Sequence, residues 1–236
     1  MRTKSFILIM AVMTVCSLSS CGTKSLYPQD VVKAKDGTKI TLTFYTHASI
    51  AIEAKGHHIY IDPVGEQIDW AHEPKADLVL ITHDHGDHFN AETVTTLRGG
   101  TNDFMKLKPG VSADPFDGIQ VEAVPAYNIS EGHQNFHPKA RGDAGYVLTI
   151  GGTRIYVAGD TEDNDDVLAL QDIDIAFLPV NQPYTMTEEQ CIRVVKAIRP
   201  TIFYPYHFGG PSGPSDVNAL AEALKDITDV RIRPLE

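Results

Sequence analysis

At residues 82–90 the chain reads Thr-His-Asp-His-Gly-Asp-His-Phe-Asn, directly after the apolar residues 78–81. Three imidazoles and two carboxylates fall between His83 and His88. Any fold this chain adopts must therefore end a buried strand and seat these polar groups at its tip. A short continuous apolar run suits a central strand. A solvated turn gains nothing from such a crowd, so a purely structural explanation is weak. His83 and His85 are two apart, so in extended backbone both point the same way. Gly86 lets the chain turn sharply and offers no side chain to block the space. Imidazole and carboxylate suit Zn²⁺, Mn²⁺ or Fe²⁺. One ion cannot easily use all these groups from one short loop. Two neighbouring ions can, with His83 and His85 on one side and Asp87 and His88 on the other.

The rest of the chain supplies strands first, then strands alternating with helices. Ile40, Leu42 and Phe44 alternate within a strand over 38–45. Strands at 49–54 and 57–61 flank the turn Lys55-Gly56. Asn90 caps a helix reaching Arg98, and 119–124 is another strand. Residues 125–143 read as a loop. Strands at 146–150 and 154–158 flank Gly151-Gly152, a hairpin signal. A strand at 173–180 precedes a helix opened by Thr187 with Gln190 three residues on, a capping box. A strand at 202–206, a helix capped by Ser215 and a short strand at 230–232 complete the pattern. Periodicity alone gives a mixed α/β class.

The run from Thr82 to His88 resembles the HxHxDH signature of the metallo-β-lactamase superfamily, which also follows a core strand. Other matches fall in the expected order. Ala158-Gly-Asp-Thr161 resembles the strand end whose aspartate bridges two metals, which implicates Asp160. Tyr204-Pro-Tyr-His207 resembles the final histidine motif, which implicates His207. Thr46-His-Ala-Ser49 and Tyr60-Ile-Asp-Pro63 resemble the opening hairpins. The resemblance spans roughly residues 40–210 and implies a four-layer αββα sandwich with the site at one edge of the sheets. It assigns His83, His85, Asp87, His88, Asp160 and His207 as metal ligands, with zinc as the first expectation and one or two ions bound. His47 stands where the family often has a histidine near the metals, as a ligand neighbour or substrate contact. Asp62 reads as a supporting or turn-forming aspartate.

One position departs from the family. Where a further histidine is usual, the matching strand end reads Val124-Pro-Ala-Tyr-Asn128. A neutral amide is a poor zinc ligand beside imidazole. Three outcomes stay open: Asn128 ligates through its carbonyl, His133 or His137 replaces it, or the first site is half-built. His137 ranks ahead of Asn128, as ligand or substrate contact. Lys139 and Arg141 are the cations of this loop, with a solvated surface as the default reading and an anionic substrate group as the other. His57, His58 and His72 read as surface or packing residues.

The implied chemistry is hydrolysis by a metal-bound hydroxide, with Asp87 orienting the nucleophile, on an ester, lactone or phosphodiester of a small molecule. A lipoprotein that keeps the fold for binding alone is the alternative. β-Lactam hydrolysis ranks lower, because families devoted to it usually keep the missing histidine. Redox di-iron relatives carry a glutamate where His85 stands.

Arg2 and Lys4 precede the apolar run 6–15, the pattern of an export signal. Leu18-Ser-Ser-Cys21 then resembles a bacterial lipobox, with Cys21 lipidated. The expected organisation is a signal peptide at 1–20, a lipid anchor and spacer at 21–36, and a hydrolase domain at 37–236. The protein is then an exported lipoprotein of the bacterial envelope, facing the periplasm and held to the membrane by its lipid alone. Removing Arg2 and Lys4 leaves 18 Lys and Arg against 31 Asp and Glu, a net of −13. With no basic run, such a surface repels a phosphate backbone at long range, and no nucleic-acid partner is expected. Cys191, Val194, Val195 and Ile198 follow helix-face spacing, so Cys191 reads as core.

Overall fold

The computed structural model describes residues 25–101, 103–211 and 213–235. The export signal and Cys21 lie outside the described residues.

Two sheets form the centre of the molecule. The first runs β1 (Gln29–Lys33), β2 (Lys39–Thr46), β3 (Ser49–Ala54), β4 (His57–Ile61) and β5 (Leu78–Leu80) in spatial order. Its pairs are antiparallel up to β4, and β4 and β5 are parallel. The second holds β6 (Ser112–Phe116), β7 (Ile119–Pro125), β8 (Ala144–Ile150), β9 (Thr153–Val157), β10 (Ile175–Pro179), β11 (Ile202–Tyr206) and β12 (Asp229–Val230), also neighbours in chain order. From β6 to β9 the pairing is antiparallel, and from β9 to β12 it is parallel.

Period-two alternation explains how the layers stack. On β2, Ile40, Leu42 and Phe44 enter the large core shared with β7–β11. Phe44 meets Phe177 and Tyr204 of the other sheet, with ring centroids 6.2 and 5.1 Å apart. Tyr45 points the opposite way and packs on Tyr60 and Trp70 in a second core, closed by Val94 and Leu97 of helix α1 (Ala91–Leu97). Helices α2 (Asp165–Leu168), α3 (Glu188–Ile198) and α4 (Val217–Leu224) bury their apolar faces in the larger core. Cys191, Val194, Val195 and Ile198 all face inward from α3, and each such apolar burial contributes about 1.5–3 kcal/mol. The architecture is the expected sandwich.

Three local expectations need correction. The span 21–36 is not spacer throughout, because Gln29–Lys33 is the edge strand β1. Asp30 explains why it docks. Its carboxylate takes Tyr204 Oη at 2.6 Å and Arg233 Nη2 at 2.5 Å, tying β1 to the second sheet and the chain end. The cap of α4 is Asp216, not Ser215. Asp216 accepts from the backbone of Asn218 and Ala219, where its charge also suits the helix dipole. Ser215 Oγ instead donates to Val180 O. Finally, β6 and α2 were not expected. β6 contains Pro115 and a register shift, both tolerated at a sheet edge.

The topology gathers the chemistry at one edge. The chain leaves β4, β5, β9 and β11 there, delivering Asp62, His83–His88, Asp160 and His207. The turn between β2 and β3 brings His47 to the same place, where His207 N donates to His47 O. Gly159 allows the close approach of two of these loops. Its φ is +64°, and a Cβ there would stand 3.0 Å from Thr82.

Candidate metal centre

Eight side chains converge in two groups. His83, His85, His137 and Asp160 form one, and His47, Asp87, His88 and His207 form the other; within each, the donor atoms all lie within 4.8 Å of one another. In the first, His85 Nδ1 lies 3.1 Å from His83 Nε2 and 3.3 Å from His137 Nε2. Asp160 Oδ2 lies 3.2 Å from His137 Nε2 and 3.8 Å from His83 Nε2. In the second, Asp87 Oδ2 lies 3.4 Å from His47 Nε2 and 3.6 Å from His207 Nε2. Asp160 Oδ1 reaches this group as well, at 3.1 Å from His88 Nε2 and 3.3 Å from His207 Nε2. One carboxylate thus presents a different oxygen to each group.

The neighbours set which ring nitrogen carries the proton. Asp62 is central. Its Oδ2 accepts from His88 Nδ1 at 2.8 Å and from Thr82 Oγ1 at 2.6 Å, while its Oδ1 accepts from Thr82 N at 2.8 Å. Thr82 Oγ1, its own proton directed at Asp62, accepts from His83 Nδ1 at 3.0 Å. His137 Nδ1 donates to Tyr184 O at 3.0 Å. These bonds place the protons of His83, His88 and His137 on Nδ1 and turn each Nε2 lone pair inward. Asn181 holds His207, with its side-chain nitrogen 3.1 Å from Nδ1.

Electrostatics concentrates negative charge at the centre. Burial works against ionisation of Asp160, yet His207, His88 and His137 outweigh it and hold its carboxyl well below the ordinary range. Burial likewise opposes the charge on Asp87, but the imidazoles of His207 and His47 beside it push its pKa down. His83 is held neutral, first by burial and then by His88. Burial disfavours a charged His88, but with no cation present Asp160 and Asp62 raise its pKa well above the usual value; a cation at Nε2 would take the place of that second proton, leaving the other on Nδ1.

The donor set fits divalent cations. His88 Nε2, His207 Nε2 and Asp160 Oδ1 are buried, face one another, and have no hydrogen-bond partner among the described residues. Leaving such atoms unpaired costs about 1–3 kcal/mol each. A cation at their meeting point satisfies them together, and imidazole with carboxylate is the donor chemistry of Zn²⁺, Mn²⁺ or Fe²⁺.

The remaining candidates divide clearly. The third imidazole of the first group belongs to His137. Asn128 uses its Nδ2 on Tyr184 O at 2.7 Å and His133 O at 3.2 Å, and its N–H donates to His137 O. It braces the loop that carries His137, and sharing the acceptor Tyr184 O couples the two. His133 lies 3.4 Å from Glu162, outside both groups. Glu162 accepts from the backbone of Ile129 and Ser130 at 2.7 and 2.6 Å, fixing the start of the same loop. His72 pairs with exposed Asp69 at 2.6 Å, and His57 stacks on Phe116. Lys139 lies against Tyr127 and Asp166. Arg141 reaches the site, with Nη1 2.8 Å from His85 Nε2. Sequence reasoning missed Asn181, Tyr184 and Glu162; only Glu162, two residues after Asp160, gave any hint.

Beside the second group lies an open cavity of about 940 Å³, bounded by His47, Asp87 and Trp70 and by the carboxylates of Glu66, Asp69 and Glu92. No Lys or Arg is among its lining residues.

Comparison with known proteins gives this geometry its context. Residues 41–207 match the family described as the β-lactamase superfamily domain. A metal-dependent hydrolase from Bacillus velezensis is 31% identical over 212 residues, covering 78% of this chain and 92% of that protein. One from Thermococcus onnurineus is 30% identical, covering 72% and 84%. The crystal structure of a candidate metal-dependent hydrolase from Parabacteroides distasonis superposes with a TM-score of 0.81 at 41% identity, over 89% of this chain and all of the other. The chain belongs to the β-lactamase superfamily, among its metal-dependent hydrolases.

Proposed function

We propose that this protein hydrolyses a carboxylic ester or lactone of a small molecule, using two divalent cations, zinc foremost. His83, His85, His137 and Asp160 would hold one cation, and His88, His207, Asp87 and Asp160 the other, with His47 beside the second. Bound cations supply Lewis acidity and an acidified water.

The chain's own groups do the rest. Asp160, with one oxygen in each group, keeps the two sets in register. Asp62 and Thr82 hold the His83 and His88 rings so that their Nε2 lone pairs stay inward. Asp87 is half-exposed and borders the cavity, so it can accept a hydrogen bond from an entering water and aim that water at the scissile carbon. The cavity receives the leaving part of the substrate.

The bond class rests on the cavity. Its carboxylates, on a chain with formal charge −11, repel a phosphodiester and tolerate a neutral alcohol or a cation. The test is a panel of chromogenic esters, lactones, phosphodiesters and β-lactams, with and without chelator. Ester or lactone turnover lost to chelator and restored by zinc is expected. Faster phosphodiester turnover would overturn the bond class. Metal uptake with no turnover on any substrate would favour a binding protein instead.

A further inference from the structure

The guanidinium of Arg141 has no role in the scheme above. Arg141 ends the one-turn 3₁₀ helix Lys139–Arg141, and Gly142, at φ +77°, turns the chain toward β8. Its Nε and Nη2 both lie on Asp143 Oδ2, at 2.6 and 2.5 Å, and Asp143 is buried. That grip leaves Nη1 directed at His85 Nε2, and 32% of the side chain is open to solvent. Among the described residues, Arg141 is the one Lys or Arg within hydrogen-bonding distance of the first group.

The contact has a chemical consequence once a cation is present. His85 offers Nδ1 to the centre, so that nitrogen must keep its lone pair and the ring proton sits on Nε2. Arg141 has only donors. Two N–H groups then stand 2.8 Å apart, with neither able to accept from the other. One oxyanion in the half-open space beside them satisfies both. A guanidinium edge next to an imidazole N–H matches the oxygens of a carboxylate or a phosphate, through charge-assisted bonds.

We propose that Arg141 and the Nε2–H of His85 form an anion subsite, which selects substrates carrying a carboxylate or phosphate group at the His85 end of the site. The subsite rests on the two-cation reading above. Lys139 does not share it, because its Nζ is turned to Tyr127 and Asp166. The opposite end of the site, at His47 and Asp87, opens into the acidic cavity. A substrate therefore lies with its anionic group at Arg141 and its neutral or cationic part in the cavity.

The test titrates zinc-loaded wild type, R141K and R141A with inorganic phosphate and with acetate by calorimetry, and measures zinc in the same samples. R141A is expected to keep its zinc and bind the preferred anion at least roughly tenfold more weakly, with R141K between the two. The stronger of the two probes identifies the substrate's anionic group. Unchanged affinity for both anions in zinc-loaded R141A overturns the subsite. Loss of zinc from both variants overturns it too, since Arg141 would then serve to hold His85. Wild type that takes up no zinc would instead remove the metal reading on which the subsite stands.

Discussion

Asp62 offers the sharpest way to perturb the centre without touching an inward-facing donor. It is buried and accepts from Thr82 N, Thr82 Oγ1 and His88 Nδ1. Asp62→Ala would strand these donors, at about 1–3 kcal/mol each, against a total stability of about 5–15 kcal/mol. That variant tests folding, not chemistry. Asp62→Asn keeps the shape. Its carbonyl can still accept from Thr82 N, which places the amide nitrogen against His88 Nδ1. Both groups would then be donors, so the His88 proton moves to Nε2 and points at Asp160 Oδ1, 3.1 Å away. A hydrogen bond then forms where a cation needs a lone pair. Supporting residues of this kind typically contribute 10–100-fold in metal affinity, or about 1.4–2.8 kcal/mol. Zinc affinity is read by competition with a chromophoric chelator, and folding by circular dichroism. A folded Asp62→Asn protein with wild-type zinc affinity would refute the idea that Asp62 sets the His88 tautomer.

His137→Ala should bind one tight zinc where wild type binds two, while His133→Ala keeps both, as read by metal analysis. The pH dependence of stability should show in Asp30. Burial opposes its charge, but Arg233, Tyr204 and Arg231 prevail and hold its pKa below the ordinary 3.8. Its contribution is therefore complete above that value and lost as pH falls through the lowered one. Asp30→Asn should cost about 1 kcal/mol at neutral pH, discounted for nearby solvent. The gap in urea midpoint should narrow as pH falls below 3.8 and through the lowered pKa; a gap equal at neutral and acid pH would contradict the ion-pair origin. Cys21→Ser should release the protein from the membrane fraction in its native host, and persistent membrane association would count against the lipid anchor.

Local patterns were readable wherever local physics decides. The strands Ser49–Ala54 and His57–Ile61 follow from the Lys55-Gly56 turn between them, and Ile202–Tyr206 from a short apolar run after Pro200. The Thr187–Gln190 capping box starts α3 as its spacing demands. The HxHxDH stretch was legible because its donors come from one loop. What escaped depends on partners far along the chain. β1 is too short and polar to announce itself, and it is held by Arg233 some 203 residues away. Asn128 and His137 both use Tyr184 O, 56 and 47 residues away, so no local pattern fixes where either side chain goes. Arg141 and His85 are 56 residues apart, so nothing local distinguishes Arg141 from a surface cation.

The most direct measurement is anomalous scattering at the zinc edge from crystals of zinc-loaded protein. Two peaks are expected, one on each side of Asp160, the first ringed by His83, His85 and His137 and the second by Asp87, His88 and His207. A map with no peak between these side chains, from protein shown to be folded and saturated with zinc, would contradict the two-cation centre.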